Sequence, residues 1–272
     1  MKKIAFLLPL SLLFIQCSGE EQTESIHEDV STDTISSDTI VEEVIEIEPE
    51  RVEIDVDALF AKADTTLKIP FIVDSIFMDS ILNMYDELDH KSLSNAEAQH
   101  LGFKMVDNGP TSMGSYCIDR FIEIDSLKLK GEYDAYVEQL DIGQTERASA
   151  AVIAKITELG ATQFLIWMTD YSTVEACPYG HGTYIWCTIF EQGSATNTLL
   201  LGENSGGADA PYWGSTITTS VLEIGKVTTT VVDEQGGDYN EETDEEIVES
   251  STKEFISWIT FGWFETEEEV GN

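Results

Sequence analysis

Basic residues are scarce in this chain: 14 Lys and Arg stand against 52 Asp and Glu in 272 residues, a formal net charge of −38. Phosphate recognition needs clustered Lys and Arg, so nucleic acid and anionic membrane surfaces are excluded as partners. Cysteine is scarce too, with four in all, and no CxxC pair offers a zinc knuckle. The histidines are His27, His90, His100 and His181, a short supply for acid–base or metal chemistry. No apolar run reaches the ~20 residues that cross a bilayer as a helix. The chain shows no internal repeat, and no cofactor or metal is expected.

What is present begins at the amino terminus. Lys2 and Lys3 precede an apolar stretch from Ile4 to Ile15, within the signal-peptide range of roughly 7–15 residues. The stretch Leu13-Phe14-Ile15-Gln16-Cys17 resembles the lipobox of bacterial lipoproteins. The resemblance implies cleavage just before Cys17 and acylation of its thiol and new amino terminus. It departs from the family at Phe14, where Leu is preferred, and at Gln16, where a small residue is preferred. The alternative is an ordinary cleaved signal in which Cys17 is incidental. Each buried methylene contributes about 0.8 kcal/mol, so two or more acyl chains hold a protein stably. Ser18-Gly19-Glu20-Glu21 is similar to the Ser-plus-acid tracts that direct some lipoproteins to the outer leaflet of the outer membrane. It serves equally well as the start of an acidic linker. The expectation is an outer-membrane lipoprotein of the bacterial envelope, with the membrane as one partner and an envelope protein or glycan as another.

Charge then divides the chain. Residues 18–66 hold 16 acids and two bases, Arg51 and Lys62, with Phe60 their one aromatic. Such a segment cannot bury enough apolar surface to order itself. As a tether its coil dimension is on the order of 35–40 Å. Val52, Ile54 and Val56 alternate with acids inside it and read as a half-exposed strand that can add to a sheet edge. The organisation expected is a signal peptide at 1–16, an acidic tether at 17–66, one globular domain at 67–266 and an acidic tail at 267–272. About 200 residues suffice for one well-buried domain.

Within the domain, Asp74 to Leu88 places Ile76, Phe77, Ile81, Met84, Tyr85 and Leu88 on one helical face. Ser94 and Glu97 have capping-box spacing before a second helix that ends at Gly102. Tyr116 to Leu129 alternates and reads as a strand. Thr145 to Leu159 is Ala-rich and reads as a helix, with a strand pair as the alternative. Gln163 to Tyr171 and Gly182 to Phe190 are apolar on both faces, with Tyr184, Trp186 and Phe190 opposite Ile185, Cys187 and Ile189. Strands of that kind sit centrally and are covered on both sides. Ser215 to Ile224 and Val227 to Val232 flank a turn at Gly225-Lys226, and Lys253 to Phe264 closes the chain as one more strand. The fold class expected is α+β: an antiparallel β-meander with two or three helices packed on one face.

Four features are candidate sites. Cys177, His181 and Cys187, in ACPYGHGTYIWC, offer soft metal ligands or a thiol–imidazole pair. The simpler reading has His181 at the tip of a turn and Cys187 as a core residue. In an oxidising compartment Cys177 and Cys187 are candidates for a disulfide across a hairpin, and Cys117 is the third free partner. Gly202-Glu203-Asn204-Ser205-Gly206-Gly207 resembles the signature around the nucleophile of trypsin-like serine proteases, departing at Asn204 where the family has Asp. The family's upstream Ala-Ala-His-Cys context is absent, and a Gly/Ser-rich loop explains Ser205 as well. Asp233 to Glu249 carries nine acids and no base but lacks the order of an EF-hand and reads as a solvated hairpin loop. Tyr212 and Trp213, beside Pro211, are expected in a loop as an exposed patch for a ligand or partner. No catalytic residue is assigned. The expected function is a lipid-anchored, non-catalytic binding module; the alternatives are a surface hydrolase using Cys177/His181 or Ser205, and an acidic, cation-binding coat protein.

Overall fold

The computed structural model describes residues 54–269, apart from 84–87, 103–104, 107–108, 111–113, 141–144, 160–161, 175–178, 240–242 and 244–245. Its frame is an antiparallel sheet of nine strands: β1 (Phe71–Val73), β2 (Thr145–Leu159), β3 (Thr162–Val174), β4 (Tyr179–Glu191), β5 (Ser194–Asp209), β6 (Tyr212–Glu223), β7 (Lys226–Tyr239), β8 (Glu246–Thr260) and β9 (Trp263–Glu269). β2 to β9 lie side by side in chain order, and β1 pairs with β6. The helices are α1 (Val56–Ala61), α2 (Ser75–Asn83), α3 (Asn95–Gly102), α4 (Gly114–Lys130) and α5 (Tyr133–Val137). The fold is α+β with a meander sheet.

Tight turns set the meander. Gln192-Gly193 and Phe261-Gly262 both have positive φ at both positions, 51° and 79°, 49° and 77°, the twist that a two-residue hairpin needs. The second of these turns divides the expected strand at 253–264 into β8 and β9. Glu223 pairs with Lys226, so the β6–β7 turn is Ile224-Gly225, one residue ahead of the expected one, with Gly225 at φ 78°.

Two expected elements exchange type. Residues 116–129 are helical: with Gly114, Cys117, Ile118, Phe121 and Ile124 are the buried residues of α4, spaced for one helical face, and the alternation of Ile118, Ile122 and Ile124 is incidental. Residues 145–159 are strand β2. Ala150, Ala151, Val152, Ile153 and Ala154 are all buried, so both faces are covered, and that tertiary cover overrides the helix propensity of alanine. Small side chains there let α4 lie close over β2. The capping box before α3 forms as read: Glu97 accepts from the Ser94 amide at 2.7 Å and Ser94 Oγ accepts from the Glu97 amide at 3.4 Å.

The sheet separates two apolar clusters. One gathers Leu59, Leu101, Cys117, Ile118 and Phe121 from α1, α3 and α4 against Leu165, Trp167, Tyr184, Trp186 and Phe190. The other gathers Val73, Met78 and Ile81 from β1 and α2 against Ile166, Ile185, Cys187, Ile189 and Leu201. β3 and β4 are therefore buried on both faces, with the alternation read from their sequence. The buried indoles are satisfied: Trp167 Nε1 donates to Thr188 Oγ1 at 2.9 Å and Trp186 Nε1 to Thr169 Oγ1 at 3.0 Å. Thr188 and Thr198 hydroxyls bond each other, and Thr198 donates to the Leu101 carbonyl in the last turn of α3. At the point where β6 leaves β5 for β1, Gly202 gives the room, since a Cβ there would fall 2.5 Å from Val73 Cγ1.

The outer edge of β2 is covered by chain. Leu67 N donates to the Lys155 carbonyl at 2.9 Å, and Leu93 N to the Ala150 carbonyl at 2.8 Å. Such cover blunts an exposed edge. It comes from residues 65–67 and 92–93, whereas the sequence offers Val52 to Val56; Ile54 onward enters α1, capped by Asp55, whose carboxylate accepts from the Ala58 amide at 3.0 Å. The ordered fold thus takes in part of the stretch read as tether, with Leu59 fully buried. Leu59→Ala is expected to cost about 2–5 kcal/mol in urea unfolding of the full chain; a change under about 0.5 kcal/mol is the surface-residue outcome and would place α1 outside the cooperative unit.

Candidate groove across β4 to β8

Beyond the doubly covered region the same strands open on the α4 side into a groove of about 630 Å3. Register builds it row by row. One row runs Tyr171, Gly182, Ser205, Thr216, Asp233 and Ser251; the next runs Gly180, Gly207, Gly214, Gln235 and Glu249. Residues paired across strands share a face, so both rows look the same way. Cys117 from α4, with Tyr171 and Tyr184, forms the inner wall.

Small residues make the groove possible. Tyr184 lies along β4 over Gly182, where a Cβ would fall 2.5 Å from the ring. At Gly207 a Cβ would fall 2.8 Å from the Tyr179 carbonyl oxygen, so the chains approach too closely for any side chain. Gly214 differs: its nearest neighbour would be 3.7 Å away, and a side chain there would stand in the groove.

The polar groups are fixed by one another. Thr216 Oγ1 donates to Asp233 Oδ1 and Gln235 Nε2 to Glu249 Oε2, both at 2.7 Å. Ser205 Oγ donates to Glu203 Oε1 at 2.6 Å, and Glu203, paired with Tyr184, is buried on the same face of β5. None of the lining residues is Lys or Arg. Burial pushes the Cys117 thiol up to about 12, against a hydrogen bond with Tyr184 that lowers it, so it stays protonated at neutral pH.

A buried ion pair steadies the wall. Arg120 of α4 binds Glu146 of β2 in bidentate fashion, Nε to Oε1 at 2.7 Å and Nη2 to Oε2 at 2.6 Å. Tyr136 of α5 also donates to Glu146, and Tyr171 does so from the groove wall at 3.0 Å. Burial raises the Glu146 pKa, but the hydrogen bonds from Arg120 and the tyrosines outweigh it and hold the carboxyl below its ordinary value. Removing one partner of such a pair costs roughly 3–5 kcal/mol.

Of the residues singled out in the sequence, Cys117, His181 and Ser205 border the groove. Cys17 and Cys177 lie outside the described residues. Cys117 and Cys187 are buried free thiols, and Cys187 sits in mid-strand opposite Ile166 and Leu199, so no disulfide to Cys187 is formed. His181 is in β4, paired with Ser172 and Gly206, and stacks on Tyr179 with ring centroids 5.2 Å apart. The turn expected around it is strand. Ser205 also lies in a strand, β5, and pairs with Gly182, the neighbour of His181; adjacent strand residues face opposite sides, so its hydroxyl and the imidazole are directed apart. Tyr212 and Trp213 open β6, and alternation divides the pair. Tyr212 is 56% exposed on the Gly214 face, while Trp213 Nε1 donates to Glu246 Oε1 at 2.6 Å. The expected acidic loop at 233–249 is largely the ends of β7 and β8. Among the described residues no three His, Cys, Asp or Glu side chains are grouped to hold a metal.

Sequence reading missed Gly180, Gly207 and Gly214, Asp233 and Glu249 as neighbours, and the Arg120–Glu146 pair. The available signal was a cluster of small residues near the same end of three successive strands. Compared with protein-family models, curated proteins and solved structures, the chain matches nothing.

Because the folded Glu146 pKa is depressed, its stabilisation is complete above the ordinary carboxyl pKa and is lost as pH falls through the folded value. Glu146→Gln should therefore lower stability at pH 7 and flatten the loss of stability below about pH 4.5, measured as urea midpoints across pH. Parallel wild-type and variant profiles would contradict the assignment.

Proposed function

We propose that this chain is a lipid-anchored protein of the bacterial cell envelope whose domain is a non-catalytic binding module with the β4–β8 groove as its site. The groove itself carries the reading. Its volume falls in the range of roughly 300–1,000 Å3 typical of ligand sites, its floor is bare backbone at a row of glycines, and its polar groups are held in place by one another. Groups fixed before binding lower the ordering cost of recognition. The one thiol in the groove wall, Cys117, is buried and held protonated, which supports binding over thiolate chemistry there. The lipid anchor is supported by the signal and the resemblance around Cys17.

Two measurements test this reading. Growth with an alkyne-bearing palmitate should label the wild-type chain and leave Cys17→Ser unlabelled; label on both would dissociate Cys17 from the anchor. Gly214→Phe should fold with a melting temperature near that of the wild type, since a Cβ there meets nothing nearer than the Glu234 carbonyl oxygen at 3.7 Å, an ordinary contact. Crosslinking in cells followed by mass spectrometry should then recover an envelope protein or glycan with the wild type and lose it with Gly214→Phe. Retention by the plugged variant would move the site elsewhere.

A further inference from the structure

We infer that the ligand class of this groove is an alkylammonium group, a methylene chain ending in a protonated amine; this rests on the groove being the binding site. The groove has two chemically different ends. At the inner end the Tyr171 and Tyr184 hydroxyls are already committed, to Glu146 and to Cys117, so their rings offer apolar and π surface. Between the ends Gly207 and Gly214 leave only backbone under the ligand, a flat bed for an unbranched chain. At the outer end stand Asp233 and Glu249.

Both carboxylates are aimed by a single donor, Thr216 Oγ1 and Gln235 Nε2 respectively. An ionised carboxyl has about four lone-pair sites, so each keeps most of its accepting capacity for a ligand. Glu249 lies opposite Gln235, two residues along β7 from Asp233, a diagonal pair roughly 7–8 Å apart at the backbone. That spacing suits an ammonium held between two acceptors by its three N–H donors. The surroundings favour a cation: none of the lining residues is Lys or Arg, His181 being the one imidazole among them, and the chain's net charge of −38 penalises an anionic ligand.

Such a group is present on a free polyamine and on a lysine side chain of another protein. Calorimetric titration of the full-length chain separates these sources, with spermidine for the first and Nα-acetyl-lysine methylamide for the second. Spermidine is expected to bind one to one, at least about tenfold more weakly to Asp233→Asn/Glu249→Gln, and not measurably to Gly214→Phe. Glu265→Gln/Glu267→Gln on β9 should leave the affinity unchanged. Binding of the lysine amide with the same pattern assigns a protein lysine; binding of spermidine alone assigns a polyamine. Equal weakening by the β9 pair would reduce the effect to surface charge and overturn the inference. Saturable binding of chitotriose that survives Asp233→Asn/Glu249→Gln and is lost in Gly214→Phe, without spermidine binding, would keep the groove and overturn the amine. Absence of binding by all three probes would overturn the amine, with the envelope crosslinks of Gly214→Phe deciding the groove independently.

Discussion

Trp167 and Trp186 lie stacked on neighbouring strands, ring centroids 5.7 Å apart, in a pair of strands with apolar layers against both faces. Two-sided burial is a severe constraint, because each polar atom taken inside costs free energy unless a protein partner replaces water. The indole N–H groups meet it through threonines on the adjacent strand, and the Thr188–Thr198–Leu101 relay extends the solution to a helix end. Every other layer is arranged around that pair. α1, α3 and α4 cover one side, and β1 with α2 covers the other.

The groove begins where this double cover stops. Tyr184 is the last large side chain of β4 on the α4 side; past it the same face carries Gly182 and Gly180. Glu203 and Ser205 mark the same transition on β5, a buried carboxylate followed by a hydroxyl that donates to it. Tyr171 joins the two regions, since its ring lines the groove while its hydroxyl reaches the Arg120–Glu146 pair under α4 and α5. The position of the groove wall is therefore coupled to the docking of two helices on the sheet. In a protein with so large an excess of acid, neutralising a few carboxylates at a site also relieves repulsion in the folded state.

How much was legible depended on how local each signal was. The two-faced strands, the capping box at Ser94 and the meander could be read directly, because apolar periodicity and turn chemistry act within a few residues. The exchange of α4 and β2 was not legible. Ile118, Ile122 and Ile124 satisfy a strand pattern while Cys117, Ile118, Phe121 and Ile124 satisfy a helical one. The alanines of β2 favour helix until α4 presses on them. The GENSGG run reads as a loop for its composition, yet β4 and β6 pair on either side of it and make it strand. Residues chosen for reactive chemistry are set apart by strand geometry: Cys187 lies in mid-strand in the core, and alternation directs the His181 and Ser205 side chains to opposite faces.

The sequence by itself determined the acidic excess, the pair of central strands and the α+β class; each is a property of composition or short-range pattern. Tertiary structure alone decided which of two periodicities governs residues 116–129, that Ile54 to Ala63 belongs to the fold, and that Asp233 and Glu249 stand beside a row of glycines drawn from three strands. The reason is register. A strand specifies which of its residues share a face, but which residues of other strands lie beside them is set only when the hairpins close and the whole sheet finds the alignment that buries both its faces.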